Sequence, residues 1–330
     1  MSVSVVIPAY KGTPYIRETL DSIFSQTHTK FELIICNDSQ EDEEKLQEIL
    51  SEYPQEQIKF YQNEKNLGYP LNLKKCVEKS TGDILFLMGQ DDILLDPKVF
   101  EKALEIFEKH PRIGAITRPY YWFEEKVTQP IRQVPKYHKR IINPQEATST
   151  DLKAVLETLG QLSGLVYRKK LITHPFNENV FTAHIYPFLS IMKTNYIYFW
   201  EDFMVAVRTS SSQTRSKASI YNPSPTKTWV EMFKTVFPEK EFTHIRRIGI
   251  DHITQNYIGL VQIKNYGRFK DLIIDIYYLI KHRPKNLLSP SFWLIGLGVL
   301  LIPKVFLRSL VDWYKNVLNK SRLKNLLHEN

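Results

Sequence analysis

Residues 82–97, GDILFLMGQDDILLDP, decide how the rest of the chain is read. Ile84 to Met88 is an unbroken apolar run, the mark of a strand buried on both faces in the middle of a parallel sheet. The run stops at two adjacent carboxylates, Asp91 and Asp92. In open α/β sheets ligands bind in the crevice outside the carboxyl ends of strands, and hard oxygen ligands placed there can hold a divalent cation against a phosphate. A plainer reading makes one acid the cap of a helix starting near Asp96-Pro97, which accounts for one carboxylate and leaves the other.

Working outward, strand-like and helix-like segments alternate. Val3 to Ile7, Phe31 to Cys36 and Ile58 to Gln62 are expected strands. Tyr15 to Ser25, with Ile16, Leu20, Ile23 and Phe24 at helical spacing, Glu41 to Leu50, Tyr69 to Lys79 and Asp96 to His110 are expected helices. Regular alternation specifies a mostly parallel sheet with right-handed crossovers, an α/β fold. The expected strand ends carry Pro8-Ala9-Tyr10-Lys11-Gly12, Asn37-Asp38-Ser39, Asn66-Leu67-Gly68 and Gly89-Gln90-Asp91-Asp92. All four open on one crevice. Its first turn holds Gly12 without GxGxxG, and GxxxxGK[ST] is absent, which argues against dinucleotide and P-loop chemistry. Phosphate binding must then rely on a metal and scattered donors.

The blocks VSVVIPAYKGTPYIRETLDSIFSQTHTKFELIICNDSQED, NLGYPLNL and GDILFLMGQDDILLDP together resemble the nucleotide-binding half of family 2 glycosyltransferases, which have the GT-A fold. The resemblance implies transfer of a sugar from a nucleoside diphosphate donor, with inversion at the anomeric carbon. It implies that Pro8, Ala9 and Tyr10 line the nucleoside pocket, that Asp38 meets the base, and that Gly68 and Gln90 belong to the substrate crevice. Asp91 stands for the second acid of the family's DxD-type motif, contacting Mg²⁺ or Mn²⁺ between the phosphates, with Asp92 a weaker ligand or a turn cap. The usual leading acid falls at Gly89, so metal binding would rest on Asp91, diphosphate oxygens and water, which suits Mg²⁺. Tyr10 as a plain rim aromatic, Asp38 as an Asx-turn residue, and Gly68 and Asn72 as turn and helix-surface residues are the simpler alternatives.

From Pro119 the chain turns aromatic, basic and proline-punctuated, suiting an irregular segment or hairpin on the acceptor side. A helix over Thr150 to Leu159, a strand over Gly164 to Tyr167, a helix entered near Thr182-Ala183-His184, and strands over Tyr196 to Trp200 and Phe203 to Val207 follow. An inverting transferase needs a general base. The resemblance places it at the start of the helix before the last strand, where His184 stands, and imidazole titrates in a useful range. Glu201-Asp202 is the alternative, although it lies inside a strand-like run. Arg208, Gln213 and Arg215 are candidate clamps on the donor diphosphate, since guanidinium groups pair with phosphate oxygens.

The expected modules are therefore 1–118 for the donor, 119–222 for the acceptor, and 223–330 as a helical region. Amphipathic helices over Trp229 to Phe237, Ile245 to Lys264 and Phe269 to Lys281 precede the uncharged Leu287 to Pro303. That run sits at the lower limit for spanning a bilayer. Lys281, Arg283 and Lys285 before it, and Lys304 and Arg308 after it, favour a segment lying in or dipping into one leaflet, with Trp293, Trp313 and Tyr314 at the headgroups. A buried hairpin or a homodimer contact is the rival reading.

The chain has 330 residues, 43% of them hydrophobic, and a net charge of +8. The charge fits an anionic membrane surface, with no organised nucleic-acid motif. Cys36 and Cys76 have no metal-ligand spacing and read as core filler in a reducing compartment. The N-terminus begins directly in a strand, without the layout of an export signal. The expectation is a bacterial enzyme at the cytoplasmic face of the inner membrane, peripheral or monotopic, acting on a polyprenyl-linked or cell-surface glycan. A nucleotidyltransferase, for which PAYKGTPY is a poor first loop, and a non-catalytic transferase-like protein, consistent with Gly89, are the rival classes.

Overall fold

The computed structural model describes residues 1–173, 176–209 and 218–313. It divides into one unit of residues 1–123 and 133–208 and another of residues 124–132 and 209–330. The expected donor and acceptor halves fall largely in the same unit because they share a sheet, and the second unit takes residues 124–132 and 209–222 from the expected acceptor half.

In the first unit the chain runs β1 (Val3–Ala9), α1 (Ile16–Phe24), β2 (Phe31–Asn37), α2 (Glu43–Leu50), β3 (Ile58–Gln62), α3 (Tyr69–Lys79), β4 (Ile84–Leu87) and β5 (Ile93–Leu94). It continues through α4 (Val99–Lys109), β6 (Ile113–Thr117), β7 (Tyr120–Phe123), β8 (Arg132–Val134), β9 (Ile141–Ile142), α5 (Ser149–Thr158), β10 (Val166–Arg168), α6 (Ile185–Ile191), β11 (Tyr196–Phe199) and β12 (Val205–Arg208). Eight strands form the main sheet in the order β3-β2-β1-β4-β10-β6-β11-β9. Ile84 to Leu87 is buried at every position, as the apolar run predicts for a central strand, but its neighbours differ: β1 pairs with it parallel and β10 antiparallel. Phe100 of α4 meets both Phe86 and Phe31 edge-on, at centroid distances of 5.2 and 5.3 Å, and so fastens α4 to the sheet.

A second, four-stranded sheet has the order β5-β12-β7-β8. The aromatic stretch after Pro119, expected to be irregular or a hairpin, supplies β7, which pairs parallel with β12. The strands expected over Tyr196 to Trp200 and Phe203 to Val207 form as β11 and β12 in different sheets, and Glu201-Asp202 lies in the break between them rather than inside a strand. Residues 93–94 pair with β12, and α4 starts after Lys98 without a side-chain cap. Neither Asp91 nor Asp92 is therefore its cap.

The second unit is helical: α7 (Pro225–Val236), α8 (Thr243–Thr254), α9 (Ile258–Tyr266), α10 (Phe269–His282), α11 (Pro290–Leu301) and α12 (Lys304–Trp313). Asp275 accepts from the Thr226 backbone N–H at 3.0 Å and from its hydroxyl at 2.9 Å, tying α10 to the first turn of α7. The uncharged run expected over Leu287 to Pro303 yields only the 12-residue α11, started by Ser289 accepting from Phe292 N–H. Among the described residues no helix is long and apolar enough to cross a membrane.

Candidate active site

Strand direction assembles the site. β3, β2, β1 and β4 are mutually parallel; β10 runs antiparallel to both β4 and β6, so β6 is parallel to β4, and β11 is parallel to β6. Six carboxyl ends consequently share one edge. That edge holds Tyr10, Asp38, Asp91, Arg118 and Glu201-Asp202, together with Ser163 in the connection leading into β10.

The donor-side loops are locked to one another. Gln90 clamps Tyr10, accepting its N–H at 2.7 Å and donating to its carbonyl at 2.8 Å, with Pro8 and Ala9 in the strand behind. Gly12 lies so close that a Cβ there would meet Gln90 Oε1 at 2.5 Å. Asp38 is buried. One of its oxygens accepts from Asn63 Nδ2 at 2.9 Å and Leu67 N–H at 2.7 Å, and the other from Gly68 N–H at 2.7 Å. Gly68, at φ +79°, uses the left-handed region that turns the chain into α3. Asn72, read as a helix-surface residue, is instead buried, donating to the carbonyls of Ala9 at 3.1 Å and Cys36 at 2.9 Å. A helix that packs on parallel strands brings its inward amide to their last carbonyls, which spacing along one helix does not reveal.

Asp91 and Asp92 have different surroundings. Asp92, expected as a weaker metal ligand, spends both oxygens inside the protein: one accepts from Arg208 N–H at 2.8 Å and the other from the Ser163 hydroxyl. Burial, reinforced by the neighbouring Asp91 carboxylate, pushes Asp92 up to about 8. Asp91 remains the partly exposed acid of the pair. Gly89 donates to Ser163 Oγ at 2.7 Å, and a Cβ on it would lie 2.7 Å from Asp92 Oδ2 and 3.1 Å from Asp91 Oδ1. A side chain at 89 would therefore have to displace Asp92 and push on Asp91 and Ser163. Among the described residues no group of three or more His, Cys, Asp or Glu side chains can hold a metal. The Asp91 carboxylate is a hard oxygen donor of the kind divalent cations take.

Arg118, Ser163 and Asn63 escaped sequence reading. Arg118 is fully buried, and among the described residues its hydrogen bonds go to carbonyls rather than to a carboxylate. It donates to the carbonyls of Ser163 at 2.6 Å, Thr158 at 2.9 Å and Gln161 at 2.9 Å, so that it holds the α5–β10 connection against the edge. Burial lowers its guanidinium to about 10. Arg118 and Asn63 directly follow β6 and β3, so the strand-end rule was the available signal; Ser163 had none.

His184 is also at this edge, at the start of α6, but inside the protein. A carbonyl only accepts, so the 2.9 Å contact with Leu159 O puts the proton on Nε2, and Nδ1 accepts from the Tyr69 hydroxyl at 2.9 Å. Burial lowers the imidazole to about 4, and raises the Tyr69 phenol, which stays a donor. Glu201 and Asp202 are exposed, paired with Arg140 and, at 2.8 Å, with Lys136. Arg208 ends β12 with its Nε 3.2 Å from the Asp91 carbonyl and its Nη2 2.9 Å from Glu18, over the rings of Tyr15 and Phe123. Gln213, Arg215 and Tyr314 lie outside the described residues.

Residues 4–172, half of the chain, match the profile of Glycosyl transferase family 2. The chain belongs to this family. An uncharacterized family relative from Rickettsia bellii is 26% identical over 72% of this chain and 34% of its own length. An uncharacterized glycosyltransferase of Haemophilus influenzae is 27% identical over 84% of both chains. The chain thus spans a third to a half of the length of several relatives it matches. The S. aureus TarS 1-349 structure in complex with UDP has a TM-score of 0.64 at 16% identity, covering 98% of this chain and 92% of that one. The mannosyltransferase PcManGT from Pyrobaculum calidifontis, in complex with GDP-Man and Mn²⁺, has a TM-score of 0.54 at 13% identity, covering 91% and 87%. At these identities the likeness establishes the GT-A fold, here with a helical C-terminal unit.

Proposed function

We propose that this family 2 protein transfers a sugar, with inversion, from a nucleoside diphosphate sugar to a hydroxyl of a lipid-linked or cell-surface glycan. The observation that carries the reading is the shared edge, where the Gln90–Tyr10 clamp, the Asp38–Gly68 loop and Asp91 stand at the carboxyl ends of neighbouring strands. A uridine donor is favoured by the likeness to TarS, whose structures hold UDP and UDP-GlcNAc. Gly89, which motivated the non-catalytic alternative, also has a packing role here, since a Cβ at 89 would crowd Asp92, Asp91 and Ser163.

In this reading the nucleoside lies against the Tyr10 and Asp38 loops. A divalent cation bound at Asp91 would offset the charge that develops on the departing diphosphate. Arg208 adds positive charge beside Asp91 and fixes the orientation of Asp92. Deprotonation of the acceptor falls to the Glu201-Asp202 carboxylates, which are open to solvent at the end of β11. Both nitrogens of His184 are committed, and an imidazole held near 4 is a weak base at neutral pH. His184 instead positions Tyr69 and the α5 end.

The test is release of nucleoside diphosphate from a panel of nucleotide sugars with Mg²⁺ or Mn²⁺. Asp91→Ala is expected to lower turnover by about 100-fold or more, and Asp202→Asn or Glu201→Gln by a similar factor with donor binding retained. Absence of nucleotide-sugar binding in calorimetry would overturn the enzyme reading. A loss confined to His184→Gln would return the base to His184.

A further inference from the structure

The helical unit turns apolar side chains outward. On α12, Val305, Phe306, Leu310 and Trp313 fall within one arc and are 51–74% exposed, while Leu307 points inward. α11 has no polar face to offer: Phe292, Gly296 and Val299 pack inward, and Leu294 and Leu301 are each 77% exposed. Both helices stand on α9. Single exposed apolar residues need no explanation, but a row across two adjoining helices marks a surface that is covered in use.

Charge selects the cover. Residues 281–330 contain nine lysines and arginines against two acids, a net +7 out of +8 for the whole chain. Lys281, Lys285 and Lys304 are exposed around α11. Within the described residues 281–313, five of these cations stand against one acid, a net +4; a second copy would set +4 against +4, whereas an anionic bilayer accepts both the cations and the apolar arc. α11, with 12 residues, is about 18 Å long against a hydrocarbon core of about 30 Å, so it can lie in a leaflet and cannot cross one.

We infer that α11 and α12 form an in-plane seat for an anionic lipid leaflet. The exposed leucines and Phe306 enter the acyl boundary, Trp293 and Trp313 sit among the headgroups, and the lysines pair with lipid phosphates. This inference stands independently of the donor chemistry, since its readout requires no turnover.

The experiment is co-sedimentation of the full chain with vesicles of phosphatidylcholine, alone or mixed with phosphatidylglycerol, at low and high salt. Binding to the mixed vesicles is expected, weakened by salt, with about a fivefold loss for each of Lys285→Gln and Lys304→Gln. Leu301→Glu combined with Phe306→Glu is expected to abolish sedimentation while leaving the melting temperature and monomeric mass unchanged. If that double variant loses its melting transition, the lysine variants decide. The inference is overturned if the wild type stays in the supernatant with mixed vesicles at low salt, or if the lysine or folded apolar variants bind as well as wild type. It is also overturned if light scattering finds a dimer that the apolar variant converts to monomer.

Discussion

His184 stays neutral across the physiological range because its surroundings remove water and supply a fixed donor and a fixed acceptor. In the unfolded chain a histidine protonates near 6.5, and in the folded protein His184 does so only near 4. Between those values the unfolded state takes up the proton first. The contribution to stability is therefore complete above 6.5 and is lost as pH falls toward 4, with a slope of at most about 1.4 kcal/mol per pH unit. Denaturant unfolding across that window should show this slope in wild type and a flatter one in His184→Gln; parallel curves would contradict the buried geometry. The histidine was visible in the sequence as a helix-start residue. Its burial was not, because the Leu159 carbonyl and Tyr69 come from segments 25 and 115 residues away.

The connection between α5 and β10 shows how an element is placed by a residue outside it. Thr148 and Asp151 cap each other's backbone at the start of α5, at 3.1 and 2.8 Å, a signal readable from T-x-x-D spacing. Where α5 ends and how Ser163 reaches Gly89 depend on Arg118, whose fork fills three carbonyls. Lysine cannot reproduce that planar set of donors. Arg118→Lys should cost about 2–4 kcal/mol in urea unfolding, since buried carbonyls lose their partners. It should also weaken donor binding, because Ser163 orients both Gly89 and Asp92. An unchanged midpoint would show that the connection holds itself.

At the scale of the whole molecule, donor binding should couple to folding, because the loops that meet at the edge come from β1, β2, β3 and β4. UDP with Mg²⁺ at about 100 times its dissociation constant should stabilise the protein by about 2.7 kcal/mol, seen as a raised melting temperature. Asp91→Ala should lose most of that gain without lowering the ligand-free melting temperature; an equal gain in the variant would remove Asp91 from the diphosphate site. The sequence by itself determined the α/β alternation and the four donor-side strand ends, because buried parallel strands and amphipathic helices write their periods into consecutive residues. It also fixed the charge and apolar content of the C-terminal region. Only the tertiary structure separated Asp91 from Asp92, explained Gly89, buried Asn72 and His184, and placed Arg118 behind the edge. Each of those outcomes depends on a neighbour distant in the chain, and a linear pattern holds no record of which groups will meet.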